Sequence, residues 1–248
     1  MHPFSWARLR LACGYFTKWL VGLFLLSLPC DSVRAQSPIA ASLPEVDSYF
    51  RLSPNLRFVF DAKGYMENGD FNHAQVGPSL QFNFHPFERL RRITFFDLDD
   101  MKCMPIVLTI GYRYVPSTVQ PSINRVQPIV LFHVPFPGRT LVTDRNRGDL
   151  DWSHGSFNWT YRNRLTAERR VTLGSYHPGP YIAAELAYTS QFAKWSATRL
   201  FVGCLLPLSR HAQLDLYYEH VNNTGPRPNL QVNATGVLLN LYFPTHHE

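Results

Sequence analysis

The stretch of the chain most suggestive of catalysis is Tyr218-Glu219-His220-Val221-Asn222-Asn223. Acyl transfer from a lipid needs a nucleophilic hydroxyl beside a histidine base, with an acid or amide orienting the ring. Asn222 stands where that hydroxyl would sit, and an amide cannot form an acyl-enzyme. Ser190, Ser196 or Ser209 would replace it only by accident of geometry, so His220 reads as an interfacial ring at a strand end and no catalytic residue is assigned. Asp97, Asp99 and Asp100 are hard oxygen ligands, but no glycine-turn calcium loop follows them. His246, His247 and Glu248 form a terminal tail. CxxC, HExxH, P-loop, GxSxG and GxGxxG motifs do not occur. Neither a metal site nor a cofactor is expected.

The arginines carry more information. Arg145, Arg147, Arg162, Arg164 and Arg199 fall on the same polar faces as Glu168, Glu185, Asp215 and Glu219. A ring of bases at a constriction selects anions. A mixed set instead makes a salt-bridged plug, which avoids a desolvation penalty only if fully hydrogen-bonded. Both signs are present here, which favours the plug. Arginine suits either use, because its planar fork binds carboxylates bidentately and is weakly hydrated.

The elements that position these side chains show period-two alternation in segments of about ten residues. In 76–84, Val76, Pro78, Leu80, Phe82 and Phe84 oppose Gly77, Ser79, Gln81 and Asn83. In 157–168, Phe157, Trp159, Tyr161 and Leu165 oppose Asn158, Thr160, Arg162, Arg164, Thr166 and Glu168. Segments 180–189, 213–220 and 234–243 behave alike. About ten residues is the length of a tilted membrane strand, and aromatics cluster at segment ends, where interfacial girdles belong. Strands in lipid must close on themselves to satisfy their backbone. The expectation is an all-β, up-and-down antiparallel transmembrane barrel of ten strands, with twelve as the upper count. The strands fall near 55–64, 75–85, 105–115, 125–135, 139–147, 157–168, 179–189, 197–207, 211–220 and 231–243. Segment 45–52 is set aside because its direction does not suit a periplasmic N-terminus, and 86–104 becomes a long link. Stretches 65–74, 116–124, 148–156, 190–195 and 221–230 read as the longer, extracellular loops. A water-soluble β-sandwich that binds carbohydrate is the alternative fold.

Residues 1–35 read as a cleaved signal peptide. Arg8, Arg10 and Lys18 precede an apolar run at 19–28, and Val33-Arg34-Ala35 offers small-residue cleavage between Ala35 and Gln36. The run is too short to span a bilayer. Removing the segment lowers the formal charge from +6 to +3, so no nucleic-acid partner is expected. It also leaves Cys103 and Cys204 as the only cysteines, which is no disulfide framework.

The run from Pro44 to Phe243 carries PEVDSYFRLSPNLRFVF, VGPSL, GYRYVPS, TDRNRGDL, YRNRLTAER, PYIAAELAY, YYEHVN and the ending LNLYF. On these pieces it resembles a bacterial family of exported barrel proteins, domain of unknown function 2490. The resemblance implies an outer-membrane-like barrel over residues 36–248, without established activity and without catalytic residues to carry over. The combined expectation is a Sec-exported monomer of the Gram-negative outer membrane, structural or a narrow porin-like pore. Its partners would be outer-membrane lipids and the barrel-assembly machinery. An outer-membrane lipid-modifying hydrolase is the alternative function.

Overall fold

The computed structural model describes residues 38–84, 102, 104–226 and 229–243. The signal peptide with its Ala35/Gln36 cleavage site, most of the 86–104 link, Cys103 and the histidine tail lie outside the described residues. Eleven strands form: β1 (Ile39–Ser53), β2 (Leu56–Glu67), β3 (Asp70–Phe84), β4 (Ile106–Val115), β5 (Ile123–Phe136), β6 (Thr140–Ser153), β7 (Ser156–Arg169), β8 (Gly179–Thr189), β9 (Lys194–Pro207), β10 (Ala212–Asn223) and β11 (Leu230–Phe243). They close a single barrel in which each strand pairs with its sequence neighbours and β1 seals against β11. A closed barrel excludes the β-sandwich alternative.

The count of ten is corrected to eleven by β1, which absorbs segment 45–52. Leu43, Glu45, Asp47 and Tyr49 turn inward from it, while Val46, Phe50 and Leu52 stay exposed. An odd count forces β1 to run parallel to β11, from Ile39↔Val232 to Phe50↔Phe243. The sheet is therefore mixed rather than wholly antiparallel, and the start of β1 and the end of β11 lie at opposite rims. We call the rim at the end of β11 the lower one.

Two of the expected long loops, 65–74 and 148–156, are strand and tight turn instead. Asn68-Gly69 and His154-Gly155 each have both φ angles positive. That geometry makes two-residue hairpin turns whose twist matches the flanking strands. Both turns lie at the upper rim. The two longest connections, 85–105 and 170–178, join strand ends at the lower rim, so loop length does not sort as expected.

The barrel is apolar on its outer wall and charged within. The exposed wall carries large apolar side chains, including Ile182 and Val202 at 62% and 61% exposure. The enclosed positions include Arg57, Arg113, Gln127, Asp149, Glu168, Glu185, Asp215 and Glu219. Exposed Tyr114, Trp152, Trp159, Trp195 and Tyr218 lie toward the upper rim. Exposed Phe50, Phe82, Phe84, Phe136 and Phe243 lie toward the lower one. Following the register once around the barrel displaces the chain by roughly 14 residues, which corresponds to a strand tilt of ~44° and a backbone radius of ~11 Å.

Inward glycines accommodate rings on adjacent strands. A Cβ on Gly203 would lie 2.6 Å from the Tyr181 ring, and one on Gly236 would enter the Tyr217 ring. Such rings cover the weak, side-chain-free spots of a sheet.

Candidate functional site

The site is the charged interior of β6 to β9. Alternation along β6 turns Arg145, Arg147, Asp149 and Asp151 inward; β7 adds Arg162, Arg164 and Glu168, β8 adds Glu185, and β9 adds Arg199. Glu185 is fully buried and is the hub. Its Oε2 accepts from Arg145 Nη2 and Arg164 Nε, both at 2.8 Å. Its Oε1 lies 3.6 Å from Arg162 Nη1 and from Arg199 Nε. Arg199 Nη1 continues to Glu219 Oε1 at 3.0 Å.

A second fully buried carboxylate, Asp149, extends the network upward. Arg147 Nε donates to its Oδ1 at 2.6 Å, Gln127 Nε2 at 3.0 Å, and Arg162 Nε lies 2.9 Å from its Oδ2. Arg125 grips Asp151 bidentately at 2.6 and 2.8 Å. Arg164 also stacks on Phe201, 3.9 Å from the ring centre, which fixes its plane. Glu168 stands apart near the lower rim, paired with Lys102 at 2.6 Å. Asp215 is apart as well, accepting from Tyr181 Oη at 3.1 Å on both oxygens.

The opposite wall carries charges of both signs. Glu45 and Asp47 of β1 and Asp61 of β2 face the lumen; Lys63 binds Glu45 at 2.9 Å and Arg113 pairs with Asp61. Asp47 sits directly across from Asp61 in the register. Glu45 lies within coulombic reach of Arg147 and Arg164. Five arginines thus surround Asp149, Glu185 and Glu219 on one side, and Lys63 and Arg113 sit among Glu45, Asp47 and Asp61 on the other.

Turn centres predict the cross-strand partners of Glu185. A centre near Gly174 sets Arg162 beside it, and one near Phe192 sets Arg199 beside it. The structure pairs Arg164 with Glu185 and Arg162 with Ala187, while Glu185 does lie opposite Arg199. Arg145 likewise pairs with Arg164 rather than Arg162. Asp149, Asp151, Arg125, Gln127 and the β1–β2 acids are the members that sequence reasoning missed. The alternation Arg145, Arg147, Asp149, Asp151 was the available signal, hidden because 148–156 is polar enough to resemble a loop.

His220 is outside this site. It lies on the outward face of β10, its Nδ1 2.8 Å from Asn233 Oδ1, an oxygen that also accepts from Tyr218 Oη at 2.7 Å. Ser190 Oγ accepts from the Trp159 amide, Ser196 pairs with Thr189, and Ser209 Oγ accepts from the His211 amide. Among the described residues no serine hydroxyl bonds His220. Nor do they contain a group of three or more His, Cys, Asp or Glu placed to hold a metal ion. No family model matches the chain, and no curated protein matches it.

Proposed function

We propose that this chain is an outer-membrane β-barrel that forms a narrow passive pore for small polar solutes, constricted at mid-height by the Arg/Glu network. One observation carries the reading. Arg145, Arg164 and Arg199 keep about a quarter of their side-chain surface open to water (24%, 25% and 26%) although eleven strands enclose them. A lumen packed solid by the side chains of the described strands would leave no such accessible surface. The apolar outer wall, the closed sheet and the signal-like N-terminal segment support a Sec-exported protein embedded in lipid.

The backbone radius of ~11 Å, less side chains reaching inward from all around, leaves a passage only a few ångströms wide. A solute there meets arginines on one side and carboxylates on the other. Lys63 and Arg113 sit among those carboxylates, so cations outnumber acids across the two walls only by seven to six, and the pore prefers anions only weakly. The test is single-channel recording in planar bilayers with a potassium chloride gradient. Small discrete steps with a reversal potential slightly on the anion side are expected. A barrel that inserts but passes no current is a plugged structural barrel, and the pore reading falls.

A further inference from the structure

The outer wall holds one feature that neither a lipid-facing surface nor a pore explains. Alternation with Arg145, Arg147 and Arg162, Arg164 turns Asp144, Asn146 and Asn163 outward, away from the lumen. Asn146 and Asn163 are directly paired across β6 and β7, and each stands at the middle of a fourteen-residue strand, ~15 Å from either rim. Away from the strand ends, Asp144 is the only charged outward residue among the described strands. Around it the wall is apolar, with Phe132 and Leu165 as its cross-strand neighbours. Ionisable groups at such depth are costly and rarely face lipid.

The cluster is only partly self-satisfied. Both Asp144 oxygens are occupied, Oδ1 by Asn163 Nδ2 at 2.6 Å and Oδ2 by Asn146 Nδ2 at 3.1 Å. Asn146 Oδ1 accepts from Tyr161 Oη at 2.5 Å and from Asn163 Nδ2 at 3.2 Å. Each amide nitrogen has two hydrogens. The second hydrogen of Asn146 Nδ2 and the Asn163 Oδ1 acceptor have no partner among the described residues, so one donor and one acceptor stand side by side. Outward Gly148 next to them is covered by the Pro128 ring, which a Cβ there would meet at 3.2 Å, while Leu165, two residues from Asn163, is open at 53% exposure.

We infer that this patch is the contact of a homodimer, with a second copy of this chain as occupant. A two-fold axis along the membrane normal, passing between β6 and β7, sets Asn146 of one copy against Asn163 of the other, and the reverse. Each spare N–H then meets a spare C=O, which is the self-complementarity an isologous contact requires. Interfaces between membrane segments use side-chain amide hydrogen bonds of this kind. A cationic partner would answer Asp144 instead, but both its oxygens are already engaged, whereas the amides are not.

The inference rests on the wall lying in lipid. The test uses the full chain, isolated from membranes by a mild detergent and reconstituted into nanodiscs, with mass read by sedimentation. In parallel, a Leu165→Cys chain whose own cysteines are replaced is oxidised in its native membrane. A dimer and a disulfide-linked pair of identical chains are expected. Asp144→Leu/Asn146→Leu/Asn163→Leu should keep the heat-modifiable gel mobility of a folded barrel, yet dissociate at least about tenfold more readily. A membrane-bound monomer in the wild type, an undiminished dimer in the triple variant, or cross-linking of position 165 to a different protein overturns the proposal. A chain recovered in the soluble fraction overturns the membrane reading instead, so the two failures are distinguishable.

Discussion

Replacing Glu185 by glutamine removes one negative charge from the midst of four guanidinium groups. The new amide would keep one oxygen to accept from either Arg145 or Arg164, which now both reach Oε2 at 2.8 Å. Losing one of those bonds, and weakening the other from an ion pair to a guanidinium–amide bond, costs about 1 kcal/mol each. The arginines then repel with less compensation, an effect softened because water reaches about a quarter of Arg145, Arg164 and Arg199. The total comes to about 3 kcal/mol, the low end of the range for breaking a buried pair. Glu67→Gln is the control: Glu67 accepts from Asn72 at 3.1 Å near an upper turn, and its loss should cost about 0.5 kcal/mol or less. Urea unfolding of the refolded barrel in vesicles, followed by tryptophan fluorescence and gel mobility, measures both. The Glu185→Gln variant should also shift the reversal potential toward anions. A Glu185→Gln cost below about 1 kcal/mol, or one no larger than that of Glu67→Gln, would refute the hub assignment.

Other outcomes follow from the two faces of the wall. Arg at outward Leu239 should cost about 2–4 kcal/mol in vesicles; Arg at inward Leu238, opposite Glu45 and Asp215 in the register, should cost much less. Gly203→Ala should destabilise by about 1–3 kcal/mol by pushing on the Tyr181 ring, and much of the loss should vanish in a Tyr181→Ala background. Gly155→Ala, at φ 78°, should lose about 1 kcal/mol in the same unfolding assay. Because β1 and β11 are parallel, an impermeant thiol reagent should reach Ala40→Cys and Phe243→Cys from opposite sides of the membrane; labelling from one side would mean an even strand count.

What was legible in the sequence was the alternation wherever an apolar face opposed a polar one, as in 76–84, 157–168 and 234–243. What was hidden has two physical causes. A charged lumen makes inward positions as hydrophilic as loops, so β1 and the upper halves of β3 and β6 read as connections. Outward positions near the rims are also polar, which removes the contrast there, and mid-wall Asp144, Asn146 and Asn163 break the pattern outright. The register of Arg164 against Glu185 depends on the 170–178 link. Its centre is fixed by the small bridge between Leu173 and Tyr176, and moving that centre by one residue moves the partner by two. Asparagine side chains signal no spacing of their own, so the dimer patch becomes visible only once Asn146 and Asn163 are paired.

The central claim is that lipid meets the apolar face and water meets the charged one. The most direct measurement is a fluorophore scan along β11, with single cysteines placed in turn at Val237, Leu238, Leu239, Asn240 and Leu241 in a chain whose own cysteines are replaced. Quenching by lipids carrying a nitroxide on the acyl chain should be strong at 237, 239 and 241 and weak at 238 and 240, with a water-soluble quencher giving the opposite pattern. Uniform quenching by either reagent, or none by the lipid-borne one, would contradict the account.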